Sequence, residues 1–270
     1  AHYSDGNPDT RVLLNNGTAS FNVFDVEEDF DALPSGKATS ADFNNDGHVD
    51  VLVNGYDYSN NQNVTRLYKN DGDTTFTDVM ANIDSVYNAD LEWGDYNNDG
   101  KLDIFVTGNI YDNSPVASIY ENATATANSQ PSAPGNLQAN ANPGMVTFSW
   151  SSASDAESTE EGLNYNLRLS PASSPADTFL ISPLANDNMS SGEHGYRYVV
   201  NKGNAGKSTS LKYFVISAGT YYWSVQAIDG AYAGSPFASE KSFTVEEKNF
   251  QDTLNTDFIQ ANGDITYADY

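Results

Sequence analysis

The stretch WGDYNNDGKLDIFVTG, residues 93–108, aligns without a gap on SADFNNDGHVDVLVNG, residues 40–55. Each sets three aspartates and two asparagines around one glycine, then runs straight into three apolar residues. The flanks repeat as well. LLNNGTASF (13–21) resembles YKNDGDTTF (68–76), and IYEN (119–122) matches LYKN (67–70). A third, partial copy lies at 250–270, where FQDTLNTDFIQANGDITYADY has the length of FTDVMANIDSVYNADLEWGDY (76–96). Phe250 falls on Phe76, Asp252 on Asp78, Asp269 on Asp95 and Tyr270 on Tyr96. Self-similarity at such a period marks stacked units that bury their faces against one another.

Each repeat reads as short strands separated by Gly, Asn and Asp turns, without helical periodicity. Val51-Leu52-Val53 and Ile104-Phe105-Val106 are apolar at successive positions. Such a strand must be covered on both faces, as in small sheets stacked like propeller blades. The polar stretch ENATATANSQPSAP (121–134) reads as a linker. Beyond it, MVTFSW (145–150), YNLRLS (165–170), LKYFVI (211–216), TYYWSVQAID (220–229) and KSFTV (241–245) read as strands. Tyr221, Trp223, Val225 and Ala227 share one face, and Tyr222, Ser224 and Gln226 the other. That period of two predicts a sheet with one face in a core. The expected fold is all-β. Blade-like four-stranded antiparallel sheets fill 1–127, a β-sandwich 128–247, and the start of a further repeat 248–270.

Crowded aspartates repel unless a cation joins them. Calcium takes six to eight oxygen ligands, supplied by alternate residues of a tight loop. Counting from Asp95, positions 1, 3, 5 and 9 are Asp95, Asn97, Asp99 and Asp103. Lys101 stands at position 7, where only a backbone carbonyl is needed, and Gly100 at position 6 permits the sharp turn. The other loop offers Asp42, Asn44, Asp46 and Asp50, with Gly47 at the turn and the carbonyl of His48. Two calcium ions are expected, one per loop. An EF-hand needs a bidentate Glu at position 12, where this chain has Val53 and Val106. DGNPD (5–9) is not a third loop, because its first and third positions would be Ala1 and Tyr3.

These loops, each followed by an LYKN or IYEN strand, resemble FG-GAP/VCBS repeats. Those are the calcium-binding blades of integrin-α-like β-propellers, common in large exported bacterial proteins. The resemblance covers 1–127 and 248–270 and implies calcium held by the residues just named, between two strands of one blade. A propeller needs about four to eight blades, whereas this chain has two complete loops and parts of two further repeats. The middle region resembles, more loosely, a fibronectin type III domain. Trp150 would then sit on the second strand, and Tyr221 would be the tyrosine-corner residue. Residues 171–210 exceed the usual pattern. Such a module mostly spaces or presents other domains, and its fold alone implies no chemistry.

The formal charge is −25, from 37 acids against 12 lysines and arginines. Of these, 22 acids and 5 bases lie in 1–127. That surface repels nucleic-acid phosphates and anionic lipid and suits cations. Without cysteine there is neither a disulfide nor a zinc-thiolate site. No apolar run is long enough to span a membrane. The opening AHYSDGNPD is neither basic nor apolar and reads as the interior of a longer protein.

Catalytic signals are thin. The three histidines are His2, His48 in a metal loop and His194 in SGEHGYR, and no glycine-rich phosphate loop follows a strand. DAESTEEG (155–162) reads as a solvated loop. The expected function is therefore a non-catalytic, calcium-stabilised segment of an extracellular or cell-surface protein, structural, adhesive or ligand-presenting. The alternative is an accessory region of a secreted polysaccharide- or lipid-degrading enzyme whose catalytic residues lie elsewhere. A protein or glycan ligand is compatible with exposed aromatics such as Tyr56, Tyr58 and Tyr111. Uncovered strand edges at the partial repeats invite association between chains.

Overall fold

The computed structural model describes residues 36–246 except 59, 98, 143, 175–177, 186–196, 198–199 and 215–216. It also describes Leu33 and four short strands before it, β1 (His2–Tyr3), β2 (Pro8–Asp9), β3 (Val12–Asn15) and β4 (Phe21–Phe24). β1 pairs with β2 and β3 with β4, both antiparallel. The partial repeat at 250–270 and His194 lie outside the described residues. Among the described residues every regular element is a strand, and the strands form several small antiparallel sheets with no closed barrel.

The first repeat folds as one sheet in the order β5 (Ala38–Ala41), β6 (Asp50–Asp57), β7 (Gln62–Asn70), β8 (Phe76–Asp78). The second gives β9 (Tyr87–Gly94), β10 (Asp103–Asn109) and β11 (Pro115–Tyr120) in sequential order. Four strands were expected in each; the second sheet shows three among the described residues. Because successive side chains alternate faces, the apolar triplets divide. Leu52 and Leu67 of the first sheet face Leu91, Trp93, Ile104 and Val106 of the second, forming one core between the sheets. Val53, Tyr68 and Phe76 lie on the first sheet's other face with Leu33. The expected double coverage thus holds for the first triplet and fails for the second. Phe105 is 42% exposed and Ile119, its cross-strand partner, 52%.

The middle region is a two-sheet sandwich. One sheet is β12 (Gly135–Asn142), β13 (Met145–Ser151) and β15 (Ser210–Tyr213), in that order. The other is β14 (Asn164–Ser170), β16 (Gly219–Ile228) and β17 (Lys241–Val245). Val146, Phe148 and Trp150 meet Tyr165, Leu167, Trp223 and Val225 between the sheets. Burying each large apolar side chain contributes about 1.5–3 kcal/mol. Trp150 packs on Tyr165 and Trp223, with ring centroids 5.7 and 6.5 Å away. The Tyr221 hydroxyl donates to Ser217 O at 3.0 Å, the upstream backbone bond expected of a tyrosine corner.

Alternation in β16 predicted one solvated face, and the structure differs. Ser224 and Gln226 are fully buried. Ser224 Oγ donates to Ala238 O at 2.6 Å and Gln226 Nε2 to Ser235 O at 2.9 Å, so the segment after β16 folds back over that face. The long stretch 171–210 also has a role in its described parts. It runs along β14, with Leu180 N donating to Leu169 O at 2.8 Å and Ala205 N to Tyr165 O at 3.0 Å.

Candidate metal centre

Both Asp/Asn loops join the first two strands of their sheets, β5 to β6 and β9 to β10. Gly47 and Gly100 sit at φ of 87° and 79°, where a side chain is strained and glycine is not. That turn points the amides that follow it back at the loop's own carboxylates.

The two loops share one set of backbone-to-side-chain bonds. Asp42 accepts from Asp46 N at 3.1 Å and Gly47 N at 2.8 Å. Asp95 accepts from Asp99 N at 3.0 Å and Gly100 N at 2.9 Å. Asn44 and Asn97 each accept from the amide two residues on, both at 3.1 Å. Asp46 accepts from His48 N and Asp99 from Lys101 N, both at 3.0 Å. The ninth position closes each loop: Asp50 accepts from Phe43 N and Asp103 from Tyr96 N, again both at 3.0 Å.

Asp50 also accepts from Asn70 N and Asp103 from Asn122 N, each at 2.8 Å. These asparagines close the LYKN and IYEN matches, whose purpose the sequence did not disclose. Asn122 Nδ2 further donates to Leu102 O at 3.0 Å and to Phe43 O at 2.7 Å, tying the second loop to the first.

The electrostatics follow from burial. Asp42, Asp50 and Asp103 are at most 2% exposed. Desolvation holds the Asp42 carboxyl above its ordinary range, and pushes Asp50 up to about 7, with Asp42 and Asp46 adding repulsion. Lysines lie beside the outer positions, Lys69 Nζ 3.5 Å from Asp46 and Lys101 Nζ 3.5 Å from Asp99. The His48 imidazole turns away and lies over Gly72, leaving its carbonyl as that residue's contribution to the loop.

Every named site residue is therefore in its loop, and the donors are carboxylate, amide and carbonyl oxygens, the set a hard dication takes. Among the described residues no three acidic or histidine side chains close into a cage. The carboxylates instead lie on the loop amides, which use about half of their lone-pair positions.

The surroundings were not foreseen. Asp42 N donates to Gly230 O at 3.0 Å, so the β16–β17 connection of the sandwich sits directly on the first loop. Tyr232 Oη donates to Ser40 O at 2.8 Å. The 121–134 segment is fastened too: Asn45 Nδ2 donates to Thr126 O at 2.9 Å, and Asn128 N to Gly100 O at 2.9 Å. Nor is DAESTEEG wholly solvated, because Glu157 O lies against Gly47 and its carboxylate accepts from Ser129 Oγ at 2.5 Å.

Residues 42–106 match the FG-GAP-like repeat family. The match opens on Asp42, the first position of the first loop, and spans both loops. The strands β6 to β9, the second loop and the first half of β10 fall inside it, and β5 lies outside. No curated protein matches the chain. Among solved structures it is similar to the FN1–FN3 domains of chicken CNTN1, at 10% identity and a TM-score of 0.29. That alignment covers 78% of this chain and 65% of the other, and so loose a likeness carries no argument.

Proposed function

We infer that the protein is a non-catalytic calcium-binding segment of an exported or cell-surface protein, and that it serves as a rigid structural or ligand-presenting unit. One observation carries the reading: two separate loops arrange the same oxygen donors through the same set of backbone-to-side-chain hydrogen bonds. Asp42, Asn44, Asp46, Asp50 and the carbonyl of His48 would hold one ion. Asp95, Asn97, Asp99, Asp103 and the carbonyl of Lys101 would hold the other. A bound dication supplies the positive charge that buried Asp42 and Asp50 lack.

Stabilisation follows from linkage. An ion held by the folded loop alone, at one hundred times its dissociation constant, adds about 2.7 kcal/mol per site. Thermal unfolding of the chain should therefore shift upward with calcium and fall with chelator. Identical melting in both buffers refutes the reading.

A further inference from the structure

The second sheet is open where the first is closed. In the first, β8 pairs with the end of β7 in the register Tyr68↔Asp78, Lys69↔Thr77, Asn70↔Phe76. In the second, β11 ends at Tyr120, short of Glu121 and Asn122, the counterparts of Lys69 and Asn70. No strand pairs with its outer edge among the described residues. The faces differ in the same way. Leu52 and Leu67 are covered by the next sheet, whereas their counterparts Phe105 and Ile119 are exposed.

A cavity of about 700 Å³ lies over that face, bounded by Phe105, Ile119 and Glu92 on the sheet and by Arg197 and Tyr232 of the sandwich. Arg197 Nε and Nη1 are buried there without a hydrogen-bond partner among the described residues. Unmade bonds to buried donors are costly, so an occupant with acceptors is favoured.

The chain contains a sequence fitted to both openings. Residues 250–268 repeat 76–94, the stretch that supplies β8 and β9. Phe250 and Asp252 stand where Phe76 and Asp78 pair with β7, and Ile265 and Tyr267 where Leu91 and Trp93 cover Leu52 and Leu67.

Reach disfavours the same molecule. β17 ends at Val245, paired with Gly219 at the start of β16. The opposite end of β16, Ile228, leads to the connection that sits on the first loop. Ten strand residues span roughly 30 Å, and the five steps from Val245 to Phe250 span at most about 18 Å. We propose that residues 250–268 of one copy add to the β11 edge and the Phe105–Ile119 face of a second copy, in the register Tyr120↔Asp252, Glu121↔Gln251, Asn122↔Phe250. The contact joins different surfaces of the two partners, so copies associate head to tail.

The absence of cysteine makes a clean test. Glu121→Cys protein is mixed with Gln251→Cys protein and oxidised mildly; paired Cα positions lie within disulfide reach. A covalent heterodimer is expected from the mixture, and none from either variant alone. Absence of the heterodimer overturns the proposal. So does an intramolecular bridge in the dilute double variant, which would return the segment to its own chain. Hydrogen exchange in the unaltered protein provides a check without substitution. Amides 120 and 121 should slow as protein concentration rises, and rates independent of concentration contradict the association.

Discussion

At the scale of single residues, what distinguishes the two loops from ordinary Asn-Asp-Gly turns is the ninth-position aspartate. Asp50 and Asp103 are buried, and each links its own loop to an asparagine, Asn70 at the end of β7 or Asn122 just past β11. A solvated turn has no use for such a carboxylate. The fifth position is different, being more exposed and bonded to one loop amide. Asp99→Ala should therefore remove one ion and leave the fold and the first loop intact, so calorimetric stoichiometry falls from two to one. The alternate oxygens were legible in the sequence because ligand spacing is local. Asn70 and Asn122 were legible as matches only, since their partners lie about twenty residues away.

At the scale of elements, the loops differ in what rests on them. A Cβ on Gly47 would lie 2.4 Å from Glu157 O of the sandwich, whereas on Gly100 its nearest neighbour would be 3.6 Å away. Both alanine variants bear the left-handed penalty of about 1–2 kcal/mol. Gly47→Ala adds a backbone clash, so denaturant unfolding should show a clearly larger loss than for Gly100→Ala. Equal losses would mean that the sandwich does not sit on the first loop.

The same junction sets a pH response. Asp229 is 1% exposed, accepts from Asn128 Nδ2 at 2.7 Å and Ala233 N at 2.8 Å, and burial pushes its carboxyl up to about 7. The folded protein thus holds a proton that the unfolded chain, with an ordinary aspartate near 3.8, has released. Stability from this group is full below about pH 4 and is lost as pH rises toward 7. Melting temperature measured without calcium should fall more steeply over that window in the parent than in Asp229→Asn. Parallel profiles would show that Asp229 is not buried at the junction. None of this was legible: the strands of the sandwich declared themselves by alternation, but nothing local says that Ser224 and Gln226 would be covered or that Gly230 would meet Asp42.

At the scale of the whole molecule, internal repetition carried the reading. Two gapless copies of one motif gave strands, turns and ligands together, and the sheets stack through the faces that the apolar triplets require. Phe105 departs from that pattern because coverage comes from the next unit in a stack, and a strand's own sequence does not say whether that unit is present. The sandwich was legible as a separate core, built from Phe148, Trp150 and Trp223. Its docking was not, because the contacts rest on backbone atoms of Gly230 and Glu157 whose identity leaves no pattern. The resulting unit joins two Asp/Asn loops, a clamped linker and a sandwich through one junction, so ions bound as proposed should stiffen more than the loops themselves.

The most direct test of the central claim is isothermal titration of calcium into chelator-treated protein. Two ions per chain with a measurable heat are the expected result, and the Asp99→Ala chain should bind one. No heat in the parent, across the range where calcium also fails to alter its melting, would contradict the claim that these loops are metal sites.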